Sequence, residues 1–345
     1  MKALVKKCAK AGLWMTEVPV PTIGDHEILI KVKKAAICGT DINIYKWGDW
    51  AQKNVAIGTT IGHEFIGEVT ELGRGVTSFK IGDRVTGESH VLCGHCRNCR
   101  TGNGHNCVDA KVIGVHRNGC FAEYLSLPAF NTFHVPDAIP DEIAAIFDPL
   151  GNATHTALSF SLVGEDVLIT GAGPIGLMAI SICKYAGARN VFITDINNYR
   201  LDLAKKMGAT EAINVNETRL NETRLEDAMA KRNIAGFTVC LEMAGNGAAL
   251  ETILKNAFHG AHVGLLGILP PGIVIDWDLV IFKGLHLLGI FGRKIFDTWY
   301  KMSNMIEGGL DISKVITHRF SADDFQKGFD AMLSGSSGKI TLDWS

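Results

Sequence analysis

Cys38, His63 and Glu64 place a soft sulfur, an imidazole and a carboxylate within 27 positions. A catalytic zinc uses that mix of donors when one coordination position stays open for substrate. Three such residues this close also arise by chance, so the rest of the chain has to support the reading. Gly39 permits a tight turn after Cys38, and Thr40 and Asp41 are suited to open a short helix as cap residues. His63 lies between glycines in IGHEFIG, where close backbone approach is expected.

A more specific pattern follows. Cys93, Cys96, Cys99 and Cys107 are separated by two, two and seven residues. Four thiolates at this spacing can close a tetrahedron on a structural zinc. The loop is polar and glycine-rich, without a hydrophobic stripe, so metal binding would supply its folding free energy. Four free surface thiols would oxidise. Four sulfurs fill the shell, which leaves His95 and His105 to solvent.

The third constellation is Gly171-Ala172-Gly173-Pro174-Ile175-Gly176. It follows the apolar run EDVLIT and precedes the helix-like LMAISICKYAGA. The next strand-like run ends on Asp195, 24 positions past Gly171. Strand, glycine turn, helix, strand and acid form a dinucleotide site. Gly171, Gly173 and Gly176 would give a tight turn, backbone approach to a pyrophosphate and close helix–strand packing. A carboxylate at Asp195 accepts from ribose hydroxyls and repels a 2′-phosphate, which favours NAD over NADP.

The elements that must carry these groups fall into two patterns. Residues 1–150 read as mostly β, with short β-branched runs (Ile28 to Val32, Phe65 to Thr70) broken by Gly and Pro. Residues 140–163 have helix-like apolar spacing. Strand-like runs then alternate with helices at 165–170, 190–194, 212–215, 237–243, 262–269 and 285–291, which suits a doubly wound six-stranded parallel sheet. The tail holds a helix (DTWYKMSNMIEGGL), a capped amphipathic helix (SADDFQKGFDAMLSG) and a strand (GKITLDW). It is expected to rejoin the first domain. The predicted domains are 1–150 with 292–345, carrying the knuckle at 93–107, and 151–291 for the dinucleotide. Asn216–Leu220 is repeated at once as Asn221–Leu225, which reads as a surface insertion without function.

The chain has 345 residues, 47% of them hydrophobic, and a net charge of −2, so a large core is expected and disorder is not. The weak charge gives no reason to expect nucleic acid or an anionic membrane as partner. No apolar run reaches the ~18 residues of a spanning helix. MKALVKKCAKAGLW lacks a signal-like apolar region and reads as a first strand, so a cytoplasmic location is expected. Nine cysteines in such a chain argue against a disulfide framework. Cys183 and Cys240, in apolar patterns, read as buried inert thiols.

Together these motifs resemble the zinc-dependent medium-chain dehydrogenase/reductase family. Gly62-His63-Glu64-x-x-Gly67, with Gly73 and Val76, matches its zinc signature, and the knuckle and glycine turn follow in the family's order. CGTDINIYKW, Phe147–Ala153, ITDINNYRL and THRFSADDFQKGFDAM carry the resemblance across the whole chain. It implies an α/β protein with a GroES-like β-rich catalytic domain and a Rossmann domain. The implied activity is oxidation of the β-hydroxyl of L-threonine to 2-amino-3-oxobutanoate by NAD, in a homotetramer. It implies two zinc ions per chain, one catalytic at Cys38, His63 and Glu64 and one structural at the four knuckle cysteines. Asp148 matches an acidic position beside the catalytic metal, as ligand or relay, and the choice between it and Glu64 as third ligand stays open. Thr40 matches a proton relay. Ile175, Asp195, Arg200, Leu266, Gly267, Ile268, Ile290 and Phe291 match NAD contacts.

One residue departs from the family pattern. Position 43, usually a relay histidine, is Asn43, and an amide has no titratable proton near neutral pH. The relay then ends in water beyond Thr40 or uses another group, for which His90 is a candidate; a hydrogen-bonded histidine at a strand end is the plainer reading. Arg293 is a candidate for a substrate carboxylate or the cofactor, or else a surface charge. The rival functions are a polyol or secondary-alcohol dehydrogenase of the same family and a non-catalytic NAD-binding module.

Overall fold

The computed structural model describes residues 1–216 and 221–345 and divides into two units. Met1–Pro149, Lys294–Glu307 and Ile316–Ser345 form the first, and Leu150–Arg293 with Gly308–Val315 the second. The first copy of the tandem repeat, apart from Asn216, lies outside the described residues.

The first unit is built around the ten-residue strand Glu27–Ala36. It pairs antiparallel with Phe65–Leu72, with Tyr124–Pro128 and with the C-terminal strand Lys339–Asp343. Ile28, Ile30, Val32, Phe65, Val69, Leu125, Leu127, Ile340 and Leu342 are buried between these strands. Burying each such side chain contributes about 2 kcal/mol, enough to hold charged groups in place at the strand ends. Three of those ends meet: Ala35 lies opposite Phe65, and Ala36 opposite Thr341. Cys38 follows the first strand, His63 and Glu64 precede the second, and Lys339 begins the third.

Helix Gly39–Lys46 starts differently from the expectation. Cys38 itself is the extended N-cap residue, and Asp41 sits one turn in, its Oδ2 accepting from the Cys38 amide at 2.9 Å. A short carboxylate at the third helical position reaches back to the free amide better than Thr40 can.

The second unit holds a six-stranded parallel sheet in the order Glu211–Asn214, Asn190–Asp195, Asp166–Thr170, Phe237–Glu242, Ala257–Leu265 and His286–Gly289. Every residue of Asp166–Thr170 is buried, as in a central parallel strand covered on both faces. Chain order reverses between Asp166–Thr170 and Phe237–Glu242, and the crevice beyond such a reversal is where open α/β sheets bind ligands. Cys183 and Cys240 are fully buried. No helix among the described residues is long and apolar enough to cross a membrane.

Candidate metal and dinucleotide sites

Gly62 has φ +90°, and a Cβ there would stand 2.2 Å from the Phe121 ring, so only glycine lets the chain enter His63 at this angle. His63 and Glu64 are then buried, and Cys38 is half-buried above the helix start. One ligand atom from each of the three lies within 4.8 Å of the others. Asp41, read from sequence only as a helix-start residue, is fully buried with Oδ1 3.7 Å from His63 Nδ1. Neither of those two atoms has a hydrogen bond. Buried polar atoms left this way mark a missing partner.

The charges agree. Burial opposes the His63 cation, but the Cys38 sulfur and the Asp41 carboxylate beside it push its pKa up to about 10. Burial raises the Asp41 carboxyl. A cluster that holds a proton this firmly has surplus negative charge, and a divalent cation fits it in place of that proton. Asp148 is buried and adds its charge to His63 and Glu64, though it stands outside the three-residue donor set. Thr40 is half-buried on the first helical turn.

Lys339 was not anticipated. It is buried, its Nζ donating to Glu64 Oε1 at 2.6 Å, with Oε2 at 2.5 Å, and to the Ile37 carbonyl at 2.8 Å. Burial works against its charge, but Glu64 and the Cys38 sulfur raise its pKa. Glu64 is therefore shared between a buried ammonium and the donor cluster. GKITLDW reads only as a strand, and nothing in its pattern announces a buried cation.

His90 takes another fixed position. Its Nδ1 is 3.0 Å from Glu88 Oε1, and the same carboxylate accepts from Trp299 Nε1 at 3.1 Å. Glu88 is fully buried and was also missed. Asn43 is exposed on helix Gly39–Lys46.

In the knuckle the Cys96–Cys99, Cys93–Cys99 and Cys96–Cys107 sulfurs are 3.5, 4.0 and 4.0 Å apart. Four sulfurs about 2.3 Å from a zinc stand about 3.8 Å apart, so the set fits that ion. Amides of Cys99 and Val108 lower the Cys96 pKa to about 6, while burial and the neighbouring sulfurs push Cys99 up to about 12, so without a metal the sulfurs share protons unevenly. His95 is exposed, its Nδ1 2.8 Å from the Cys93 carbonyl. His105 is buried against Asn106, contrary to the solvent position expected for it, because the short helical turn Gly104–Asn106 folds inward.

The glycine turn separates its three roles. Gly171 has φ +93°, and a Cβ there would stand 2.8 Å from Ala244 Cα. A Cβ on Gly173 would meet nothing within 4 Å, leaving room for a phosphate, whereas one on Gly176 would stand 2.0 Å from the Gly171 carbonyl oxygen. Gly173 caps helix Pro174–Tyr185, whose amide end favours an anion, and Ile175 lies in its first turn. Asp195 is oriented by amides, accepting from Ala172 at 2.6 Å, Ile196 at 2.8 Å and Asn197 at 2.9 Å. The Arg200 amide donates to Asn197 Oδ1 at 3.3 Å. Leu266 and Gly267 follow strand Ala257–Leu265, and Ile268 and Phe291 are exposed while Ile290 is buried. Arg293 is no surface charge; it is buried, with Nη1 3.3 Å from Asn152 Oδ1.

Both halves of the chain match known protein families. The alcohol dehydrogenase GroES-like domain matches residues 24–137, and the zinc-binding dehydrogenase family matches 174–308. The chain is 58% identical to L-threonine 3-dehydrogenases of Proteus mirabilis and Escherichia coli K12 over 344 residues, covering 100% of both chains in each pair. Among solved structures, galactitol-1-phosphate dehydrogenase from Escherichia coli aligns with TM-score 0.90 at 26% identity, over 99% of this chain and 100% of that one. An alcohol dehydrogenase from Escherichia coli CFT073 complexed with NADH aligns with TM-score 0.89 at 28% identity, over 99% of both chains.

Proposed function

The chain belongs to the zinc-binding medium-chain alcohol dehydrogenases, and from that premise we propose that it oxidises the β-hydroxyl of L-threonine to 2-amino-3-oxobutanoate with NAD. The observation that carries the reading is the end-to-end 58% identity to L-threonine 3-dehydrogenases. The Cys38–His63–Glu64 cluster gives it chemical means.

Zinc, when bound, supplies the charge that brings an alcohol proton within reach of neutral pH, and NAD supplies the hydride acceptor. Cys38, His63 and Glu64 hold the catalytic ion, with Asp148 adding negative charge beside them. Cys93, Cys96, Cys99 and Cys107 hold the structural ion. The Thr40 hydroxyl accepts the substrate's proton and passes it outward. With His90 Nδ1 donating to Glu88, Nε2 is the ring atom that accepts, which makes His90 a second route for the proton. Gly171, Gly173, Ile175 and Gly176 receive the pyrophosphate side of NAD, and Asp195 and Arg200 the adenosine side. Leu266, Gly267, Ile268, Ile290 and Phe291 receive its remainder.

A polyol or secondary-alcohol dehydrogenase is the second reading, favoured by the fold likeness to galactitol-1-phosphate dehydrogenase. NADH formation with L-threonine, sorbitol and 2,3-butanediol tests both. The highest kcat/KM is expected for L-threonine; a higher value for either diol or polyol overturns the reading.

A homotetramer in the cytoplasm completes the proposal. Among the described residues of the second unit, strand His286–Gly289 leaves one sheet edge unpaired, and helix Trp277–Phe282 has no buried residue, with Ile281 and Phe282 exposed. Such an edge and apolar face call for a covering partner. None of the nine cysteines is in a disulfide, and five of them are gathered at the two metal sites, which suits a reducing compartment.

A further inference from the structure

Glu242 ends strand Phe237–Glu242 and is completely buried in the second unit, yet none of the chemistry above uses it. A buried carboxylate is costly unless several donors face it. Its Oε1 accepts from the amides of Ala244 at 3.0 Å and Gly245 at 2.9 Å. Its backbone carbonyl accepts from the amides of Leu266 and Gly267, both at 3.0 Å. One residue thus ties together the loops that follow two neighbouring strands.

The packing leaves no slack. A Cβ on Gly267 would stand 2.3 Å from Glu242 Oε2 and 2.3 Å from the Gly245 amide. A Cβ on Gly245 would stand 2.8 Å from the Ile268 carbonyl oxygen. The same loop closes on the glycine turn: the Met243 amide donates to the Thr170 carbonyl at 2.9 Å, and Gly171 packs on Ala244. Thr170 and Glu242 face each other across the two strands where chain order reverses. The glycine turn and Leu266–Ile268, which would receive the dinucleotide, are therefore joined through the Ala244–Asn246 loop and one carboxylate. Burial pushes that carboxyl's pKa up, and the amides of Ala244, Gly245, Asn246 and Gly267 pull against it.

We propose that Glu242 is a positioning residue for NAD. Its carboxylate and carbonyl hold Ala244–Asn246 and Leu266–Ile268 in the conformation that receives the cofactor. This rests on the reading that NAD binds beside the glycine turn. The side chain is sealed from solvent and needs no contact with the ligand.

Glu242→Gln keeps the oxygen that accepts from Ala244 and Gly245 but replaces Oε2, which packs against Gly267, with an NH₂ group. In the full-length zinc-loaded protein, the KM for NAD and the Kd for NADH, read by fluorescence, should rise about tenfold. The KM for the alcohol substrate and the melting temperature should stay near wild type. Amides of Ala244, Gly245, Leu266 and Gly267 should exchange faster in the variant, with the rest of the sheet unchanged. Unaltered NADH binding would overturn the proposal. So would a drop in melting temperature with all kinetic constants worsening together, which is the signature of a merely structural acid. NADH binding needs no alcohol, so this result is independent of substrate identity. Failure of the wild type to bind NADH would instead remove the cofactor reading itself. Should Glu242→Gln not fold, Gly267→Ala presses on Oε2 from the opposite side, and normal NADH binding there overturns the proposal equally.

Discussion

The two metal centres of the first unit are built on opposite plans. The knuckle takes all its ligands from one loop between Cys93 and Cys107, and three of its four cysteines stay partly exposed. Its short helices bury little, so the metal is the core that the loop lacks. The Cys38–His63–Glu64 cluster draws on the ends of two strands, with Lys339 from a third beside it, and is set into an apolar frame. Around it gather Asp41, Asp148 and Lys339, each buried and each charged or chargeable. One centre stabilises the fold; the other is stabilised by the fold and held ready for chemistry.

Removing one sulfur from each centre tests that division, and here the largest effects are expected. Cys38→Ser should lower kcat/KM about 10³-fold or more, with the melting temperature near wild type and zinc falling from about two ions to about one per chain. Cys99→Ser should lose the other zinc and drop the melting temperature by roughly 5 °C or more, while the folded fraction keeps most of its activity. Activity assays, metal analysis and calorimetry on both variants check the pair. Equal losses of activity and stability in the two would erase the distinction.

The same division explains what could be read beforehand. The knuckle and the glycine turn are local, so spacing alone exposes their ligands and glycines. The central strands of the parallel sheet announce themselves as apolar runs, since burial on both faces demands it, whereas the edge strand His286–Gly289 is mostly exposed. Lys339 meets Glu64 across 275 positions, Trp299 meets Glu88 across 211, and hydropathy is silent on such pairs. Glu242 hides for the opposite reason: its partners are nearby backbone amides, which any sequence supplies. Charges buried at strand ends look like ordinary surface charges until register brings their partners in.

Lys339 sharpens the contrast at intermediate size. In the zinc-free protein Lys339→Met leaves the Glu64 carboxylate buried without its ammonium, which should cost about 3 kcal/mol of stability. Adding Glu64→Gln should recover much of that loss, because the stranded charge is gone. Chemical denaturation of the two single variants and the double variant reads the coupling. Additive losses would mean that the pair, despite its 2.5–2.6 Å contacts, is not what seats Glu64 in the cluster.

Asn43 carries the smallest expected effect. Its family-like neighbours suggest a histidine relay, yet the side chain stands in solvent on the helix that begins at Cys38. With position 43 in solvent, a proton leaving Thr40 is expected to reach water without a titratable group there. Asn43→His should therefore change kcat/KM by less than about threefold between pH 6 and 9, whereas a required general base contributes 10²-fold or more. A larger gain near neutral pH, with the acidic limb of the profile shifted downward, would show that the exit to water is slow. His90, held by Glu88, would then be the next residue to replace, because its fixed ring is the remaining titratable imidazole proposed to carry the proton.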